Sequence, residues 1–176
     1  GAFNESVVQA VANNSRRPIV FALSNPNSHC EGNPQDFSDW TDGKAVVATG
    51  SPFPDVECSG KKLPVAQGNN AFIFPGLGFG SMLSGATCIT DGMVLAAAYA
   101  LTEYTKKHHA KSFRLYPPLE ELRDASLDVA AAVIQRAIQD GVCTKPELES
   151  KNLKQHVQEQ SWEPDYLPVV CGDNAV

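Results

Sequence analysis

The chain has 176 residues, 43% of them hydrophobic, and carries 14 Lys and Arg against 20 Asp and Glu, a formal net charge of −6. That suffices for one full domain or two small pieces, and the acidic balance argues against nucleic acid or an anionic membrane as a main partner. No apolar run approaches the ~20 residues that a membrane span requires.

Five cysteines (Cys30, Cys58, Cys88, Cys143 and Cys171) lie far apart, form no C-x-x-C pair and are odd in number. Reduced thiols are therefore expected, without a disulfide framework or zinc. The chain starts at Gly1-Ala2-Phe3, with neither initiator Met nor signal peptide, so a truncated sequence is expected.

In chain order, Asn4 reads as the N-cap of a first helix, with Glu5 in its first turn and Phe3 and Val8 as a hydrophobic staple. Val7, Val8 and Val11 form its expected inner face, and Asn13-Asn14-Ser15 ends it. Pro18 to Leu23 is a continuous apolar run, which predicts a strand of a parallel sheet covered on both faces. Ser24-Asn25-Pro26 follows at once. Asn33 caps a short helix with Pro34 at its first position, contacts at Phe37 and Trp40, and a stop at Asp42-Gly43. Ala45 to Ala48 is the second strand, followed by Thr49-Gly50-Ser51. Strand, helix and strand make a right-handed βαβ unit, whose ligands bind beyond the carboxyl ends of the strands. Two strands form no stable sheet, so further strands are expected from outside this chain.

Asp55 to Pro64 predicts a loop or a small hairpin around Ser59-Gly60. The stretch from Gln67 to Gly80 then joins three carboxamides (Gln67, Asn69 and Asn70) to a glycine-rich apolar run. Carboxamides both donate and accept, so the pair Asn69-Asn70 could hold a polar ligand or simply make a turn. Gly76, Gly80 and Ser84 fall on one helical ridge, and no strand is expected to lead into them. Close helix packing is therefore preferred to a phosphate cradle. Thr90 or Asp91 caps the next helix, with Val94, Leu95, Ala98, Leu101 and Thr105 as its face. Its end, Lys106-Lys107-His108-His109, reads as a solvated terminus complementing the helix dipole, since adjacent histidines point apart on a helix. Phe113 to Leu119 is rigid and extended. A helix follows to Asp140, with Leu127, Ala130, Ile134 and Ile138 inward and Gly141 after its end. Lys145 to Gln160 is a polar helix or short turns. Trp162, Tyr166 and Leu167 suggest a tail that docks on a neighbour, and Gly172 to Val176 an end that frays.

Four segments together resemble the malic enzymes. Arg16-Arg17-Pro18-Ile19-Val20-Phe21-Ala22-Leu23-Ser24-Asn25-Pro26 is similar to that family's R-P-I-I-F-A-L-S-N-P. Trp40-Thr41-Asp42-Gly43 with Gly50-Ser51-Pro52-Phe53 resembles its W-T-D-G and G-S-P-F. Gln67 to Gly76 resembles Q-G-N-N-x-Y/F-I-F-P-G, and Arg114 to Leu119 resembles R-L-Y-P-P-L. They occur in the family's order across most of the chain and weaken after Gly141. Asn27 stands where the family often has Thr.

The resemblance implies an α/β fold, the C-terminal portion of a Rossmann-like doubly wound parallel sheet followed by a helical region. Residues 1–69 would close the NAD(P)-binding domain, 70–142 would return to the substrate domain, and 143–176 would form the tail. It implies oxidative decarboxylation of L-malate to pyruvate and CO2 with NAD or NADP and Mg or Mn. Asn25, Asn69 and Asn70 are the implied substrate-positioning residues, and Ser24 and Asn25 the implied cofactor contacts. Neutral carboxamides orient a dianion without adding charge near the reacting hydride. The family's acid, base, metal carboxylates and G-x-G-x-x-G/A loop would lie upstream. No catalytic residue or metal ligand is therefore expected here, and the fragment alone should be inactive. The partner is the N-terminal remainder, in a homodimer or homotetramer of the cytoplasm or mitochondrial matrix. The alternatives are a non-catalytic assembly module of the same fold, and malolactic chemistry from malate to lactate.

Overall fold

A computed structural model describes residues 1–162 and Tyr166. The tail expectations at Leu167 and at Gly172 to Val176 lie outside these residues, while the Trp162 and Tyr166 side chains are exposed.

The first half is a small parallel sheet with two helices. Asn4 caps α1 (Glu5–Asn13) by accepting from the Val7 amide. β1 (Ile19–Ala22) pairs in parallel with β2 (Val46–Thr49), and α2 (Pro34–Asp39) lies between them in sequence, capped by Asn33. A hairpin of β3 (Val56–Cys58) and β4 (Lys61–Leu63) follows, turning at Ser59 and Gly60 as expected. β5 (Val65–Gln67) then returns to the sheet, giving the order β1-β2-β5.

β5 was not expected. It gives the sheet a third strand and ends before the 3-10 turn Asn70–Phe72, so no strand runs straight into the α3 glycines. β5 has only three residues and follows Pro64, too short a run to show periodicity.

Cover over β1 also differs from expectation. Val20 and Ala22 are buried against the α1 and α2 side, but Ile19 and Phe21 are exposed. The central strand β2 fits the expectation better, with Val47, Ala48 and Thr49 all buried. β1 is an edge strand among the described residues, and on its second face the Phe21 ring meets Tyr116 in a T-shaped contact. The same openness leaves Val7 and Val11 of α1 exposed along an apolar cleft with Ile19 and Phe21, and only Val8 is buried.

The second half is helical: α3 (Phe74–Ser84), α4 (Asp91–His109), α5 (Leu122–Gln139) and α6 (Leu153–Gln160). The small ridge of α3 packs on α5 as expected. A Cβ on Gly76 would stand 2.6 Å from Val129, and one on Gly80 2.6 Å from the Ala130 carbonyl oxygen. That face has no room for a phosphate.

α4 is capped by Thr90, whose hydroxyl accepts from the Met93 amide at 3.0 Å. Its buried face is Met93, Ala97, Leu101, Tyr104 and Thr105, whereas Val94, Leu95 and Ala98, expected inside, are exposed, Leu95 by 53%. Residues 93–101 are apolar on every side, so the pattern carries no phase, and docking against α5 selects the face.

α5 is buried on two sides. Leu127, Ala130, Ile134 and Ile138 meet Leu148 and Val157 as one expected stripe. The second stripe, Ala125, Val129, Val133 and Ala137, faces α3 and α4 and was not expected. Gly141 ends the helix at φ 70°.

The end of α4 is not a simple solvated terminus. His109 Nε2 donates to Glu121 at 2.8 Å and its side chain is only 17% exposed, while His108 stacks on Tyr104. The Tyr104 hydroxyl donates to the same carboxylate at 3.1 Å. The chain turns back after Ser112, which brings Glu121 under the helix end. The His109 hydrogen bond, followed by that of Tyr104, holds the Glu121 carboxyl below its ordinary pKa. Burial, with the Glu121 bond second, pushes Tyr104 up to about 12.

A depressed carboxyl stabilises the fold above its unfolded pKa and loses that contribution as pH falls through its folded value. We therefore expect the urea midpoint of the protein to fall between about pH 5 and pH 3, partly through Glu121. Glu121→Gln should flatten that limb, and an identical acid limb in the variant would exclude Glu121 as a source.

Candidate functional site

Three strand ends converge at the carboxyl edge of the sheet. The ladder continues past each strand: the Gly50 amide donates to the Ala22 carbonyl at 3.0 Å, and the Gly68 amide to the Thr49 carbonyl at 2.8 Å. Parallel register then sets Ser24-Asn25, Gly50-Ser51 and Gly68-Asn69-Asn70 along one edge.

Gly50 is the tightest point. A Cβ there would lie 2.1 Å from the Leu23 carbonyl oxygen and 2.9 Å from Asn25 Oδ1. The absence of a side chain lets the ends of β1 and β2 close. Asn25 is then bonded to the Ser51 hydroxyl, drawn with Ser51 donating to Oδ1. Ser24 turns to Glu31, donating through its amide at 3.2 Å and through its hydroxyl at 2.5 Å. The Ser24 hydroxyl is the main cause holding the Glu31 carboxyl below its usual range.

Asn69 caps the short 3-10 turn Asn70–Phe72, its Oδ1 accepting from the Ala71 amide at 2.9 Å. That partner can only donate, so the amide orientation follows, with Nδ2 turned away from the turn. Among the described residues neither the Asn25 nor the Asn69 Nδ2 has a recorded acceptor. Asn70 is exposed at the start of the turn. Gln67 differs from both: its Nε2 reaches the Gly50 carbonyl at 3.5 Å and belongs to the sheet.

Asn25 and Ser51 are thus brought into contact, whereas Asn69 and Asn70 stand on the neighbouring strand end without a recorded bond to them. Ser51 was not singled out from the sequence as a site residue. Its signal was the register, since Ala22 opposite Thr49 places Ser51 two steps on, beside the Ser24-Asn25 turn. Tyr116 was missed as well. It stacks on Phe72, with ring centroids 6.1 Å apart, and lies 3.2 Å from where a Gly68 Cβ would be. It ties the extended segment before α5 to this edge.

Among the described residues no three His, Cys, Asp or Glu side chains lie together as a metal would require. The α3 glycines Gly76 and Gly80 are occupied by α5.

The family described as "Malic enzyme, NAD binding domain" matches residues 1–138. The NAD-dependent malic enzyme of Cronobacter sakazakii is 43% identical over 166 residues, covering 94% of this chain and 29% of that protein. The crystal structure of the Entamoeba histolytica malic enzyme superposes with a TM-score of 0.73 at 26% identity, over 90% of this chain and 29% of that one. The malic enzyme of Pyrococcus horikoshii Ot3 gives 0.69 at 25%, over 90% of this chain and 32% of that one. The chain therefore spans about 29% of the length of the curated relatives it matches, and its fold is the parallel sheet with following helices that these neighbours share.

Proposed function

Since this chain belongs to the malic enzyme family, we propose that it is part of an enzyme that oxidises L-malate with NAD and decarboxylates the product to pyruvate. In that enzyme it contributes the substrate-positioning edge of the site. The observation that carries this reading is the pair of asparagines whose oxygens are engaged inside the fold while their Nδ2 groups remain unspent at the carboxyl ends of parallel strands. Two neutral donors on a rigid edge suit the carboxylates of malate, because they orient a dianion without a proton to exchange. Their role is binding and orientation, with no acid or base among them.

NAD, when bound, would accept the hydride. Asn25 and Ser24, at the end of β1, are the residues that could meet its nicotinamide end, as the crevice rule for parallel sheets suggests. By the same resemblance, Mg or Mn and the remaining catalytic groups are assigned to the rest of the enzyme, and the fragment is expected to be inactive alone. The division into residues 1–69, 70–142 and 143–176, and a homo-oligomeric assembly, belong to the same proposal.

Asn69→Asp tests it in the full-length protein. The acid keeps the acceptor that caps the Ala71 amide, so the melting temperature should hold. It replaces the Nδ2 donor with negative charge, so the KM for malate should rise about tenfold or more, with little change for NAD. Unchanged malate kinetics would remove Asn69 from the site. Product analysis in the same assay separates pyruvate from the lactate of malolactic chemistry.

A further inference from the structure

At the amino-terminal ends of β1 and β2, the opposite end of the strands from Asn25, lies a cavity of about 440 Å³. It sits between the sheet and the last turns of α4. Its floor is apolar, made by Ile19, Val46, Phe113 and Leu115. Its charged lining has one sign: Arg17, Lys106 and Arg114 face it, with the His109 ring beside them, and no described Asp or Glu does. The chain as a whole carries −6.

Three of these groups are engaged from behind. Lys106 pairs with Glu103 at 2.8 Å, His109 with Glu121 at 2.8 Å, and Arg114 with Asp55 at 3.4 Å. Arg17 differs, having no ion pair among the described residues. Its guanidinium lies over the Phe113 ring, 3.6 Å from the centroid. Stacking uses the face of a guanidinium and leaves its N–H edge available for a forked bond to a carboxylate or phosphate. Phe113 is held at φ 57°, a left-handed conformation that bulky residues rarely adopt, and is 57% exposed. An aromatic ring kept there at a conformational cost, beside a cation with an unspent edge, is the arrangement of an amphipathic binding site.

We propose that this cavity binds an organic anion with a flat apolar body. Its anionic head lies on the edge of Arg17 with Lys106 near, and its body lies along Phe113 and Ile19. The volume falls in the range of small-molecule pockets, which are mostly apolar with a few placed polar groups. An inorganic anion would gain only the head contact, and a neutral analogue only the floor.

The test uses the full-length protein that carries this chain. 2-Naphthoate and 2-naphthyl phosphate are titrated by calorimetry beside neutral 2-naphthalenemethanol and inorganic phosphate. We expect saturable one-to-one binding of at least one naphthyl anion, with the neutral analogue and inorganic phosphate roughly tenfold weaker or worse. The tighter of the two anions identifies the head group. Arg17→Ala should weaken that anion about tenfold, and so should Lys106→Glu, at a side chain 66% exposed where folding is not at issue. The proposal stands only if both variants weaken the anion. Binding of neither anion, or unchanged affinity in either variant, overturns it.

Discussion

Replacing Gly80 with valine is expected to cost the fold about 3 kcal/mol, the upper range for forcing volume into a filled core. The reason is local. A Cβ at Gly80 would meet the Ala130 carbonyl at 2.6 Å and the Val133 side chain at 2.8 Å, and the first of these is backbone that cannot rotate away. α3 and α5 would have to separate, exposing the core that Leu77, Val129 and Val133 share with α4. Gly78 provides the internal control. It lies in the same helix with nothing within 4 Å of its Cβ position. Gly78→Ala should therefore raise stability by roughly 0.5–1 kcal/mol, through reduced freedom of the unfolded chain. Urea midpoints of the two variants should move in opposite directions. Equal midpoints would contradict the packing of α3 on α5.

Gly50→Ala should lower malate turnover of the full-length enzyme about a hundredfold, because a displacement of ~1 Å in a positioned group can cost that much. The added methyl would stand 2.1 Å from the Leu23 carbonyl oxygen, so β1 and β2 must part at their carboxyl ends. Asn25 and Ser51 would part with them. Ser51→Ala removes one hydrogen bond to Asn25 and leaves the strands closed. Its effect should be nearer fivefold, as expected for one lost hydrogen bond of ~1 kcal/mol. Steady-state kinetics with malate check both. Full turnover in Gly50→Ala would mean that the spacing of these strand ends does not matter to the reaction, and the proposed positioning role would fall.

Local chemistry was readable wherever a short segment carries its own instruction. The Asn4, Asn33 and Thr90 caps, the Ser59-Gly60 turn and the Gly141 stop form where the residues put them. Each depends on a side chain and backbone only a few positions away. The packing role of Gly76 and Gly80 was readable for the same reason, since helical spacing places them on one ridge. Phases were not readable. Val94 and Leu95 point out because residues 93–101 of α4 are apolar all round and only α5 selects a side, and α5 hides a second buried stripe because two neighbours flank it.

For the candidate site, the residues alone supplied uncharged carboxamides after parallel strands. Tertiary structure decided their disposition. The register of β1, β2 and β5 sets three strand ends on one edge, the missing side chain at Gly50 lets two of them close, and the Ala71 amide fixes which way Asn69 presents its donors. The same holds for Arg17 and Phe113, 96 residues apart in sequence and stacked in space. Spacing along a chain specifies turns and caps, because those contacts span a few bonds. Contacts between distant segments depend on how strands register and helices dock, which no single segment encodes.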